Sequence, residues 1–257
     1  QNEIFKIIEY KVNQFSFDDP QKMINICCNE ALYIANGDLV FYLSDDDWVD
    51  KNFFNIITKH FISNHECISA IGRVRSFYNN NRIEDYPIKN QPTYMDGKDI
   101  CIDKALNINK FDQSNPGHSY IFKTDVLKYY GGFSAPLEFH QLFGVVAFGK
   151  SAFDKEAIMY WRRHQGQLNK LLNKNCFFEG DYILNLLNNN VNNIISNWTK
   201  YYGKNDAKKI ENYFYEIVLY SFYKTLLCRI FKGNFYKAII FYSQKNRLIQ
   251  NKHSIKI

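Results

Sequence analysis

The chain has only six cysteines in 257 residues, and they form neither a Cys-x-x-Cys pair nor a regular series. Cys27, Cys28, Cys67, Cys101, Cys176 and Cys228 therefore read as reduced packing residues, which excludes a disulfide frame and a cysteine-ligated zinc site. Long apolar runs are missing too. None approaches the roughly 20 residues of a membrane span, and no signal-peptide pattern follows Gln1, so a cytoplasmic protein is expected. Low hydrophobicity is absent as well: 46% hydrophobic and 17% aromatic residues can bury a sizeable core, which excludes a disordered chain. The net charge of +6 is spread along the chain apart from a C-terminal bias. That balance suits an anionic small molecule or an anionic membrane surface and is too weak to argue for nucleic acid.

What the sequence does have is a run from Leu39 to Trp48, Leu-Val-Phe-Tyr-Leu-Ser-Asp-Asp-Asp-Trp, in which five apolar or aromatic residues lead into three carboxylates. Such a run reads as a strand buried on both faces of an α/β sheet. Its acids then stand at the carboxyl end, where open α/β sheets place ligands, and adjacent carboxylates there suit a hard divalent cation. The plain alternative is three acids solvating a loop.

Upstream, Ile4 to Val12 predicts a strand, and Asp19-Pro20 predicts a helix start. Gly37 supplies the stop, and strand, helix and strand together imply a βαβ unit with parallel pairing. Downstream, Asp50 is expected to cap a helix carrying Phe54, Ile57 and Phe61 on one face. A strand follows over Ile68 to Phe77, then a turn at Asn79 to Asn81, a loop from Pro87 to Gly97 and a short helix near Asp99 to Asn107. His118 to Phe122 reads as a strand, and a helix from Thr124 stops at Gly131-Gly132. Leu142 to Phe148 reads as an apolar helix and Ala157 to Trp161 as a strand. From about residue 173 the pattern is helical, over Phe178 to Leu187, Val191 to Tyr202, Lys208 to Phe231 and Phe235 to Leu248, while acids thin out and Lys, Arg, Tyr and Phe accumulate.

Three groups carry candidate chemistry: the acids, an isolated Glu138 with His140 ahead of an apolar helix, and Arg162-Arg163-His164 after a late strand. Singly each has a bland explanation. A lone Glu is commonly a solvated helix start, adjacent arginines a surface pair, and His118, His140 and His164 ordinary histidines.

Their order, however, resembles that of the family 2 glycosyltransferases of the GT-A fold, inverting enzymes that use nucleotide-diphosphate sugars. Asn29-Glu-Ala-Leu-Tyr-Ile-Ala-Asn-Gly-Asp, running on to Trp48, resembles that family's Asn, Ala-x-Gly-Asp and Asp-x-Asp-type signature. Gly131-Gly-Phe133 resembles its Gly-Gly-Phe turn, and Tyr160-Trp-Arg-Arg-His-Gln-Gly-Gln167 its closing Tyr-Arg-x-His-x-x-Gln segment. The likeness covers about Phe5 to Lys170.

Two departures stand beside it. The usual opening Ile-Ile-Pro-Thr-Tyr-Asn strand has no match, so on the order of 40 to 60 residues are expected to precede Gln1, or else the chain is a natural variant with an impaired base pocket. The Glu-Asp catalytic pair is reduced to Glu138, whose neighbour is Leu137.

The resemblance implies a GT-A-like, Rossmann-related domain over 1–172, with a mixed, mostly parallel sheet flanked by helices, and a helical region over 173–257. It implies a metal, Mn²⁺ or Mg²⁺, held by Asp46 with His164. Substrate would be bound by Asn29, Asp45, Asp47, His118, Arg162 and Arg163, with the arginines meeting the diphosphate. Glu138 would be the general base and His140 its substitute. The expected partners are a nucleotide-diphosphate sugar and a saccharide or polyprenyl-linked saccharide acceptor in bacterial surface polysaccharide assembly, at the inner face of the cell membrane in some family members.

The aromatic C-terminal residues read first as interhelix packing and second as a face for anionic lipid. Two rival readings remain. One is a catalytically silent nucleotide-sugar or saccharide-binding module of the same fold. The other is a phosphohydrolase, since Asp45-x-Asp47 after an apolar strand loosely resembles the haloacid dehalogenase motif, although Trp48-Val49 does not supply that family's Gly-Thr-type turn.

Overall fold

Three side chains spaced four apart, Phe53, Ile57 and Phe61, make the inner face of a helix and are buried at the centre of the first of two compact units. A computed structural model describes residues 7–12, 24–85, 87–108, 110–111, 120–134, 140–165, 167, 191–231, 233, 239 and 242. The first unit comprises Gln1–Arg75, Asp85–Cys101 and Asn109–Trp161. The second comprises Ser76–Glu84, Ile102–Ile108 and Arg162–Ile257, and so takes in the helical region expected over 173–257.

The strands are β1 (Leu39–Phe41), β2 (Trp48–Val49), β3 (Cys67–Tyr78), β4 (Ile83–Asp85), β5 (Tyr94–Asp96), β6 (Tyr120–Lys123) and β7 (Lys150–Arg163). They form a mixed sheet in the order β1-β6-β3-β7-β2, with β4 added to β3 and β5 to β7. The β1–β6, β6–β3, β7–β2 and β7–β5 pairings are antiparallel, with Val40 opposite Phe122 and Trp48 opposite Tyr160.

The sheet is therefore not mostly parallel, which corrects the βαβ expectation. Residues 7–12, read as the first strand, have no strand structure. The neighbour of β1 is instead β6, which arrives after a long connection and is free to run in the opposite direction.

The helices are α1 (Asn29–Ile34, continuing a π-helical turn over Ile24–Cys28), α2 (Phe53–Ser63), α3 (Gly97–Ala105), α4 (Thr124–Tyr129), α5 (Val191–Tyr202) and α6 (Lys204–Phe231). On α2 the buried stripe begins at Phe53; Phe54 is exposed. Asp50 serves the start of α2 from two residues ahead of the cap, its carboxylate accepting from Asn52 N–H and its carbonyl from Phe53 N–H. Phe53, Ile57 and Phe61 pack on Cys67, Ala70, Ile121, Ala152, Ala157 and Met159 of the sheet. Burial of each large apolar side chain contributes roughly 2 kcal/mol.

Gly72 on β3 is needed by this packing, because a methyl there would lie 2.1 Å from the Ala157 carbonyl and 2.8 Å from the Phe53 ring. One polar tie crosses the end of α2: His60 lies 2.8 Å from the Asp154 carboxylate and 3.1 Å from the Tyr94 hydroxyl.

The apolar stretch read as a helix over 142–148 is a π-helical turn over His140–Val145 followed by a 3-10 turn over Val146–Phe148. The strand expected at 157–161 begins at Lys150. In the second unit, α5 buries Val191, Ile194, Ile195 and Trp198, while α6 buries Ala207, Ile210, Tyr213 and Phe214. These two helices pack together. The helices expected over 178–187 and 235–248 lie outside the described residues, apart from 239 and 242.

Candidate functional site

The acids stand where a strand runs out of partners. After β1 the chain turns at Ser44, whose carbonyl accepts from Asp47 N–H at 3.2 Å. It then re-enters the sheet as β2, with Asp50 N–H bonded to the Ile158 carbonyl of β7. The turn grades the three carboxylates by exposure: Asp45 is exposed, Asp46 half-buried and Asp47 buried. Asp45 is thus the most solvent-exposed of the three and Asp47 the least.

Beneath the turn lies Tyr42. Its hydroxyl pKa is raised first by burial and further by the negative potential of Cys28, Asp45 and Asp47, against a hydrogen bond with Ser44. The ring centroid of Tyr42 lies 6.2 Å from that of Phe133. Burial pushes the neighbouring Cys28 thiol up to about 11, so it is no nucleophile at neutral pH.

Phe133 is held by Asn29. The Asn29 carboxamide accepts from Phe133 N–H at 2.8 Å and donates to the Phe133 carbonyl at 2.7 Å. The geometry follows from the local sequence. Helix α4 ends in a Schellman arrangement, with Gly131 N–H bonded to the Lys128 carbonyl and Gly132 N–H to the Leu127 carbonyl. Gly132 has φ +73°, and a methyl there would lie 2.3 Å from Asn29 Oδ1. The double glycine thus both ends the helix and admits the Asn29 side chain. Asn29, expected to bind substrate, has both its amide atoms committed to the Phe133 backbone.

On the other side of the turn, Trp48 stacks on Tyr160, with centroids 5.3 Å apart and planes 14° apart. Tyr160 also contributes to the electrostatic environment of Arg75. Burial opposes the Arg75 charge, but Tyr160 and Asp85 outweigh it and hold the guanidinium above its usual range. Arg75 Nε lies 2.6 Å and Arg73 Nη2 3.4 Å from one oxygen of Asp85. Two guanidiniums share a single carboxylate, leaving an excess positive charge on the strand that borders β7. Sequence reading missed this group. Its signal was Arg73-Val-Arg75 in an otherwise apolar strand, where alternation puts both cations on one face.

Arg162, Arg163 and His164 belong to the second unit, at the end of β7 and just after it, where the Gln167 side chain donates to the Arg162 carbonyl at 2.8 Å. Glu138 and His118 lie outside the described residues.

His140 is described. Both ring nitrogens are buried and make no hydrogen bond of ordinary geometry among the described residues. Burial draws the ring pKa down to about 4, only partly offset by the backbone of Gly132 and Tyr130. A methyl on Gly144 would stand 2.9 Å from His140 Nδ1, so the glycine makes room for the ring.

Among the described residues no group of three His, Cys, Asp or Glu side chains converges as a metal cage would. A groove of about 810 Å³ in the first unit lies at the opposite, amino end of β1, between Asn36–Asp38, Ile62, Lys123 and Lys128. No family model and no curated protein matches the chain.

Proposed function

We propose that the chain is an inverting, metal-dependent glycosyltransferase that moves a sugar from a nucleotide-diphosphate donor to a saccharide or lipid-linked saccharide, in surface glycan assembly. The observation that carries this reading is the Asn29–Phe133 clamp. Asn29 opens the segment that delivers the acids, and Phe133 closes the double-glycine turn that leads toward Glu138. Two of the three segments behind the family resemblance are thereby fastened together across 104 residues of chain.

The acid turn fits a hard divalent ion by donor chemistry, since Asp45 and Asp46 offer adjacent carboxylates on an accessible turn. Asp46 with Asp45 would hold Mn²⁺ or Mg²⁺, which when bound supplies neutralisation of the leaving diphosphate. Phosphate oxygens and water would complete a shell to which the protein gives only one or two ligands. In this reading Trp48 offers a flat apolar face beside the donor.

Glu138 is the base that takes the acceptor proton. His140 suits that task poorly, because a ring with a pKa near 4 is a weak proton acceptor at neutrality. A second reading, the silent binding module, draws on the same acids without turnover and on the reduction of the expected Glu-Asp pair to Glu138 beside Leu137.

The deciding experiment incubates the purified chain with Mn²⁺ and a panel of nucleotide sugars, following thermal protection and release of nucleoside diphosphate. Protection with release, both lost in Asp46→Ala, is the expected result. Protection without release selects the silent module, hydrolysis of a simple aryl phosphate selects the phosphohydrolase, and neither protection nor release defeats the proposal.

A further inference from the structure

Helix α6 is much longer than the helix packed against it. Its 28 residues span about 42 Å, whereas the 12 of α5 span about 18 Å. Burial follows that difference in length. Ala207, Ile210, Glu211, Tyr213 and Phe214 are buried, and among the α6 side chains after Phe214 whose burial is described, none is.

Where cover ends, a surface helix should turn polar, as Asn212 and Glu216 on the exposed side do. Instead the exposed positions become Tyr220, Leu227, Ile230 and Phe231. Residues 220, 227 and 231 fall within about 40° of one another around the helix axis, so they make a single stripe. Phe231 is 85% and Tyr220 69% exposed, and beyond the turn at Gly233 the Ile239 side chain is 68% exposed. Large apolar side chains exposed to this degree along one helical line are not ordinary surface scatter.

Charge identifies the occupant. From Ile217 to the last residue the sequence holds eight Lys or Arg residues, at 224, 229, 232, 237, 245, 247, 252 and 256, and no Asp or Glu. Overall the chain carries 32 basic and 26 acidic side chains, so this segment holds more than the whole net excess of +6. An apolar stripe tipped with tyrosine, embedded in uninterrupted positive charge, matches the boundary between lipid headgroups and acyl chains. Nucleic acid would use the cations and the aromatic faces but has no use for Leu227 and Ile230. No helix among the described residues is long and apolar enough to cross a membrane, so the contact is one of lying on the surface.

We infer that the C-terminal half of α6, in a stretch of sequence that carries only basic charge, is a docking surface for an anionic lipid membrane. This inference does not rest on the glycosyltransferase reading. The test is flotation of the full chain with vesicles of phosphatidylcholine alone and with phosphatidylglycerol added. Binding is expected only to the anionic vesicles, with release as salt rises. Leu227→Ser with Phe231→Ser is expected to weaken it roughly tenfold or more, and Lys232→Glu with Lys237→Glu to do the same.

The apolar substitutions fall on exposed positions, and circular dichroism with a thermal melt checks that the variant stays folded; Tyr220→Ser is the second apolar variant. Absence of flotation with anionic vesicles overturns the inference, as does binding that ignores salt or both sets of variants. A concentration-dependent dimer that Leu227→Ser with Phe231→Ser dissolves, without vesicle binding, assigns the stripe to a second copy. Retention on single-stranded DNA but not on vesicles assigns it to a polyanion; either result also overturns it.

Discussion

The carboxamide of Asn29 and the backbone of Phe133 form a two-point clamp, donor to acceptor in both directions, at 2.7 and 2.8 Å. It joins the first turn of α1 to the glycine turn that follows α4. Asn is the residue that fits, because one planar group must offer an acceptor and a donor side by side.

Asn29→Ala should therefore leave a partly buried N–H and C=O unpaired and cost about 1–3 kcal/mol in urea denaturation. Asn29→Asp keeps the acceptor but loses the donor to the Phe133 carbonyl, so its loss should fall between those of the wild type and the alanine variant. An unchanged denaturation midpoint for Asn29→Ala would remove the clamp from the account of the site.

Gly132→Ala meets two obstacles at once, a left-handed φ of +73° and contact with Asn29 Oδ1 at 2.3 Å. The expected loss is about 1–3 kcal/mol. In an Asn29→Ala background it should shrink, since only the backbone penalty remains; a double-mutant cycle measures the difference.

His140 gives a pH dependence whose sign is fixed. Its folded-state pKa, about 4, lies below the ordinary value of 6.5, so the unfolded chain takes up a proton first as pH falls. The stability contributed is fully present above pH 6.5, declines between 6.5 and 4 and levels off below. Linkage puts the whole decline at about 3 kcal/mol. His140→Gln should flatten this window in denaturation series taken across it. A wild-type curve already flat there would show the ring to be solvated.

Tyr160→Phe keeps the stack on Trp48 and removes the hydroxyl that supports the Arg75 charge. The expected loss is about 1 kcal/mol. Arg75→Met should be non-additive with it, because both delete the same electrostatic interaction. Full additivity would mean that the two side chains act independently.

Gly72→Ala should be the most damaging small substitution in the first unit, since its methyl would stand 2.1 Å from a backbone carbonyl that the sheet fixes in place. A loss of about 3 kcal/mol or more, or failure to accumulate folded protein, is expected in thermal and chemical denaturation.

How much of this was legible without coordinates differs from element to element. The strand at Leu39–Phe41, half-buried rather than buried on both faces, the helix centred on Ile57, the strand over 68–77, the Gly131-Gly132 stop and the 191–202 helix come from period, capping and turn chemistry, which act within a few residues. Such signals do not fix sheet direction, because antiparallel and parallel neighbours use the same apolar strands; only the pairing of Val40 with Phe122 decided it. Nor could sequence alone show that Asn29 serves Phe133 rather than a ligand, or that Arg75 reaches Asp85. Those contacts join residues outside the reach of such local signals. Local chemistry belongs to the sequence, whereas the partner of each polar group is set by which distant segments the packed core brings within hydrogen-bond reach.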